Sequence, residues 1–177
     1  MVVRRLSWLL IGTLVALAGC AGGAGGAGAP EPAPGADGPV ATPAGSLLDF
    51  TATTIDGETF EGASLAGRPA VLWFWAPWCP VCLGQAPGVR EAVAQYADQV
   101  AIVGVAGLDT AAAMPEFVRL AKVEGMPHLV DEAGDVWRRF EVTAQSTFVL
   151  IDADGEVTFR GRLGADEVPD RVAALLG

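Results

Sequence analysis

Apolar and polar positions divide this chain into three stretches of different character. Leu6 to Leu17 is a short apolar run directly after Arg4 and Arg5, Ala21 to Gly45 holds no large apolar side chain except Val40, and from Ser46 onward apolar runs recur between polar breaks. In that last stretch, Leu47 to Ala52, a turn at Gly57 and Glu58-Thr59-Phe60 predict a short hairpin. Ala70 to Ala76 is nearly continuous in apolar residues, as a central strand is. Val81 to Tyr96 carries a helical pattern interrupted by Pro87; Val100 to Ala106 is a second apolar, β-branched strand; Thr110 to Val123 reads as a helix with Phe117, Val118 and Leu120 among its apolar residues. A short helical piece follows Gly134 through Trp137 and Phe140. Thr147 to Ile151, the turn Asp152-Ala153-Asp154-Gly155 and Glu156 to Arg160 predict a second hairpin, and Asp166 to Leu176 a closing helix. Strand, helix, strand, helix, hairpin, helix gives an α/β fold with a mixed sheet flanked by helices.

The first two stretches lie outside that fold. A charged start, an apolar middle too short to span a bilayer and small residues at the end make residues 1–19 an export signal. Leu17-Ala18-Gly19-Cys20 resembles a bacterial lipobox, which implies that Cys20 is acylated on sulfur and becomes the mature N-terminus; the alternative is an ordinary signal peptide with a chance cysteine. The 25 residues from Ala21 to Gly45 include 8 glycines, 8 alanines and 5 prolines, a composition that cannot pack a core. Residues 20–45 are therefore expected to be a lipidated cysteine and a disordered tether, with a root-mean-square reach of roughly 25–30 Å, which leaves residues 46–177 as one domain. Loss of Arg4 and Arg5 with the signal moves the formal charge from −10 to −12, which argues against a nucleic-acid partner.

Chemistry concentrates in Trp78-Cys79-Pro80-Val81-Cys82, at the end of the Ala70 to Ala76 strand. Two thiols at this spacing can close a reversible disulfide, and a strand running into such a pair at a helix start reads as a thioredoxin-like redox site. A thiol in the first helical turn lies near unsatisfied N–H groups at the positive end of the macrodipole, so Cys79 is expected to be the exposed nucleophile. Cys82, one turn further in, is expected to be the buried resolving thiol. Pro80 is tolerated at the first turn because its missing N–H has no helical partner. Val81 donates no hydrogen bond to a thiolate, so an intermediate redox potential is expected. Trp78 is expected either to lid the disulfide or to pack as a half-exposed aromatic.

The block Arg68 to Cys82, Pro87 eight residues after Cys79, and the later block from Phe140-Glu141-Val142 to Phe148 through Gly155 resemble the extracytoplasmic thioredoxin-like proteins of the TlpA/DsbE (redoxin) group over essentially all of residues 46–177. The resemblance implies a thioredoxin-like fold with an N-terminal hairpin extension, a Cys79–Cys82 redox disulfide, no cofactor and no metal. It also shows departures. Reductive relatives place a proton-moving carboxylate six residues before the first cysteine or three after the second; here those positions are Trp73 and Gln85, and Glu91 further along is expected on a solvated face. The cis-proline that normally faces the disulfide corresponds to Ser146, between Gln145 and Thr147, and a trans Gln145–Ser146 bond is expected because a cis bond there would cost about 3–4 kcal/mol. Peroxiredoxins carry Thr or Ser three residues before the cysteine, where this chain has Ala76.

The sequence thus points to a membrane-anchored, extracytoplasmic thiol-disulfide oxidoreductase acting on thiols or disulfides of exported proteins, recycled by a membrane redox partner. The missing carboxylates lean it toward an oxidase. The alternatives are a reductant in cytochrome c maturation and a Cu(I)-handling lipoprotein using the cysteine pair with His128. His128, the single histidine, is expected at the start of an edge strand as a surface or strand-end residue.

Overall fold

The computed structural model describes residues 47–177. The export segment, Cys20 and the tether lie outside the described residues. Among the described residues no helix is long and apolar enough to cross a membrane.

Seven strands form one mixed sheet in the order β2-β1-β5-β4-β3-β6-β7. These are β1 (Thr51–Thr54), β2 (Thr59–Glu61), β3 (Ala70–Trp75), β4 (Ala101–Ala106), β5 (His128–Val130), β6 (Thr147–Ile151) and β7 (Val157–Gly161). The helices are α1 (Pro80–Tyr96), α2 (Met114–Ala121), α3 (Asp135–Arg139) and α4 (Glu167–Ala173). Strand β3 pairs in parallel with β4, which requires a crossover connection, and α1 supplies it; β3 pairs antiparallel with β6 on its other side.

The sequence of β3 explains its central place. All six residues, Ala70-Val71-Leu72-Trp73-Phe74-Trp75, are buried, and the two-residue strand period sends them alternately to two cores. Val71, Trp73 and Trp75 join the layer containing Cys82, Ala86 and Val89 of α1, Phe117 of α2 and Val168 and Val172 of α4. Ala70, Leu72 and Phe74 face Leu48, Leu65, Val136, Trp137 and Phe140. Each fully buried large side chain of this kind contributes about 1.5–3 kcal/mol, so a one-residue register slip in β3 would exchange both cores at once. The cysteine-side layer is an aromatic stack, with Trp75 on Phe117 at 4.3 Å and Trp73 on Phe148 at 6.2 Å between ring centroids.

Three elements differ from the expected ones. Helix α1 runs through Pro87 without a break. Its close approach to the α4 side depends on the next residue: a Cβ on Gly88 would stand 1.8 Å from the Ala165 carbonyl oxygen. The helix expected over Thr110–Val123 is a 3-10 turn, Ala111–Ala113, followed by α2, which stops at Lys122 in a left-handed conformation. Strand β5 is an interior strand, because the N-terminal hairpin adds β1 to its outer side at Thr53↔Val130 and Thr54↔Leu129. His128 is consequently buried at 4% exposure, and is a strand-end residue without being a surface one.

Candidate active site

The site forms where β3 hands the chain to α1. Cys79 is the N-cap of α1, with extended backbone, and its Sγ accepts a hydrogen bond from the Cys82 N–H at 3.0 Å. Pro80 takes the first helical position. Cys79 and Cys82 are at disulfide distance and bonded to each other. The order of burial follows the helix, with Cys79 at 3% and Cys82 at 0%, yet Cys79 is not the exposed residue expected. The reason is the loop before β6, which brings Ser146 against both sulfurs.

Ser146 Oγ lies 3.2 Å from Cys79 Sγ and 3.3 Å from Cys82 Sγ. No peptide bond among the described residues is cis, so Gln145–Ser146 is trans. Ser146 instead adopts a φ of 66°, in the left-handed region. A non-glycine residue there costs of order 1–3 kcal/mol and persists only where its surroundings fix it. They do so here: the Ser146 N–H donates to the Phe74 carbonyl at 2.9 Å, and the Ser146 carbonyl accepts from Gln85 Nε2 at 3.0 Å.

Gln85, 2% exposed, connects the departures noted in the sequence. Its Oε1 accepts from the Trp73 indole N–H at 3.0 Å, and its Nε2 donates to the carbonyls of Ser146 and Leu163 at 3.0 and 2.8 Å. One donor and two acceptors thus surround position 85, and an uncharged amide satisfies all of them. A carboxylate would meet two carbonyl oxygens with no proton to give. The amide at 85 and the indole at 73 are therefore two halves of one arrangement, and with Ser146 they form a continuous buried chain from β3 through α1 to the loop touching the sulfurs. Leu163, which joins through its backbone, carries no sequence signal for such a role.

The remaining expected neighbours lie at the rim. Trp78 is 54% exposed and its indole N–H donates to the Leu108 carbonyl at 3.2 Å; Val81 and Leu108 beside it are also exposed. Gln145 is half-buried, and Thr147 Oγ1 donates to the Ala144 carbonyl at 2.8 Å. Glu91 stays on the solvent face, accepting from Gln95.

His128 lies in the core layer, edge-on to Trp75 at 5.6 Å between ring centroids, with Nε2 2.9 Å from the Val123 carbonyl oxygen. Burial lowers its pKa from the ordinary 6.5, opposed by that hydrogen bond and by Asp56 and Glu124. No group of three or more His, Cys, Asp or Glu among the described residues is placed to hold a metal ion.

The model of the AhpC/TSA family matches residues 44–160. The chain belongs to the AhpC/TSA family. It is 43% identical over 144 residues to the soluble secreted antigen MPT53 of Mycobacterium tuberculosis, covering 79% of this chain and 82% of that one. It is also 28% identical over 110 residues to the thiol-disulfide oxidoreductase ResA of Bacillus cereus, 62% of this chain and 63% of that one. Among solved structures, that of MTB dsbF in its mixed oxidized and reduced forms superposes with a TM-score of 0.69 at 49% identity, over 73% of this chain and 97% of that one. A secreted Mycobacterium tuberculosis disulfide oxidoreductase homologous to E. coli DsbE does so with a TM-score of 0.66 at 42% identity, over 72% and 97%. This AhpC/TSA protein is accordingly a thioredoxin-like thiol-disulfide oxidoreductase.

Proposed function

We propose that the protein works outside the cytoplasm as an oxidase of exported protein thiols, with Cys79 as the attacked and attacking sulfur and Cys82 as the resolving one. The observation that carries this reading is the hydrogen-bonded set around the pair: a backbone N–H on Cys79 Sγ, a hydroxyl beside both sulfurs, and at position 85 an amide where a base would help Cys82 lose its proton. Donors around sulfur favour the thiolate and hence the dithiol form, and a protein whose reduced form is stabilised is an oxidant. The names of its relatives, one a secreted antigen and one a secreted disulfide oxidoreductase, support an extracytoplasmic place. In this reading residues 1–19 are a signal peptide, Cys20 carries the lipid, residues 20–45 are the tether holding the domain near the membrane, and a membrane redox partner returns the pair to the disulfide.

The direct test mixes the oxidised protein with reduced, unfolded ribonuclease A and follows free thiols. Disulfides should form in the ribonuclease at the expense of Cys79–Cys82; Cys82→Ser, whose Cys79 is a free thiol, should accumulate a mixed disulfide through Cys79 only when oxidised glutathione is added to accept the two electrons, and Cys79→Ser should be inactive. Undiminished oxidation by Cys79→Ser would overturn the assignment of sulfurs. The direction is read from the equilibrium with glutathione. A potential above the about −270 mV of thioredoxin, toward the about −120 mV of DsbA, supports an oxidase, and one at or below thioredoxin's favours the reductant reading. Detergent-phase partitioning of the full chain, lost in Cys20→Ala, tests the anchor.

A further inference from the structure

We propose that Ser146 is a catalytic residue of this pair, its hydroxyl donating a hydrogen bond to whichever sulfur carries the negative charge as a disulfide opens. The proposal rests on the oxidoreductase reading of Cys79 and Cys82. The hydroxyl oxygen stands 3.2 Å from one sulfur and 3.3 Å from the other, at a residue only 1% exposed, so solvent water does not compete for it. Its backbone is what aims it. The N–H and carbonyl are both tied down, to Phe74 and Gln85, in a left-handed conformation that glycine would adopt without strain. Packing alone would be served by glycine; the hydroxyl at the sulfurs is what a serine adds.

In the oxidase direction a substrate thiolate attacks Cys79 Sγ. A substrate–Cys79 disulfide forms, the Cys79–Cys82 bond breaks, and its electron pair leaves on Cys82 Sγ. A second substrate thiolate then attacks the first substrate sulfur, forming the substrate disulfide and releasing Cys79 Sγ with its electron pair. Two electrons have passed from the substrate dithiol to the cysteine pair. The two substrate protons have gone to solvent, from which Cys82 takes one back. The Ser146 hydroxyl faces the leaving sulfur in both steps and surrenders no proton. In the disulfide its only sulfur acceptors are neutral, whereas in each transition state one is becoming anionic, so its hydrogen bond strengthens as the reaction proceeds. In the dithiol product Oγ accepts from the Cys82 S–H while its own proton serves the Cys79 thiolate.

Two variants separate this role from a structural one. Ser146→Ala removes the hydroxyl at constant backbone, and Ser146→Gly removes it while relieving the positive φ, so the glycine variant should fold at least as firmly as the parent. In both, the equilibrium with glutathione should shift about tenfold or more toward the disulfide, as expected for a hydrogen bond to a charged group; each tenfold is about 30 mV for this two-electron couple. The rate of ribonuclease thiol oxidation should fall in parallel. Equilibrium constants within about twofold of the parent in both variants would overturn the proposal while leaving the oxidoreductase reading intact. A parent pair that fails to exchange with glutathione at all would overturn both.

Discussion

Replacing Gln85 by leucine tests whether the buried amide holds the site together. The change keeps the side chain's approximate volume and leaves three polar groups facing an apolar one: the Trp73 indole N–H and the carbonyls of Ser146 and Leu163. A buried group deprived of its partner costs about 1–3 kcal/mol, so the sum over the three is about 3–9 kcal/mol before any relaxation. A domain of this size has about 5–15 kcal/mol in total, so a large share would be lost. With an m-value of about 1–3 kcal/mol per molar urea, a loss of about 4 kcal/mol lowers the unfolding midpoint by between about 1.3 and 4 M, which oxidised protein followed by tryptophan fluorescence resolves easily. Trp73→Phe completes a cycle, because alone it orphans Gln85 Oε1, whereas in the double variant the orphaned N–H and the orphaned oxygen both disappear. The double loss should therefore fall short of the sum of the single losses by about 1–3 kcal/mol. A Gln85→Leu cost below about 1 kcal/mol, or additivity within about 0.5 kcal/mol, would refute the connected chain.

Three further outcomes follow from the same geometry. Gln85→Glu should be held neutral, since an anion there would face two carbonyl oxygens; because the unfolded chain ionises near pH 4.3, the variant should lose stability relative to the parent as pH rises above that value, and a pH-independent difference in urea midpoints would contradict this. His128 has its pKa lowered in the fold by burial, so below pH 6.5 the unfolded state binds a proton that the native state does not, and stability is present above that pH and lost as pH falls. Urea midpoints from pH 7.5 to 5 should therefore fall less in His128→Gln than in the parent, and equal slopes would remove the histidine from the account. Gly88→Ala, whose Cβ would meet the Ala165 carbonyl oxygen at 1.8 Å, should cost at least about 1–3 kcal/mol by overpacking, and a thermal midpoint equal to the parent's would show that the α4 side moves freely.

What was legible in the sequence is what local pattern determines. The central place of β3 and the cysteines at a helix start were readable because an unbroken apolar run and N-cap chemistry act over a few residues. The interior position of β5 was not, because the hairpin that covers it is far away in the chain and pairs through backbone groups that no side chain announces. The same cause hid His128, whose polar ring suggests surface until β1 and Trp75 are placed around it. Trp73, Gln85 and Ser146 were each visible as a departure from a pattern. Their joining was not, because Leu163 closes the arrangement with a main-chain oxygen.

That joining changes what the departures mean. Taken singly, an indole for a carboxylate, an amide for a carboxylate and a serine for a proline are losses of a base, a base and a rigid turn. Taken together they exchange a site that removes a proton from the inner sulfur for one that presents hydrogen-bond donors to sulfur. Gln85 spends both amide protons on carbonyls and its oxygen on Trp73, so it has nothing to offer Cys82 directly. Its effect on chemistry passes through the Ser146 carbonyl, which fixes the residue whose hydroxyl reaches both cysteines. A reductant needs Cys82 deprotonated to attack, and none of these three side chains can take that proton. An oxidant needs leaving thiolates stabilised, which the Cys82 N–H and the Ser146 hydroxyl are placed to do. The direction of electron flow in this protein is thus a question about one buried hydroxyl and the amide that aims it.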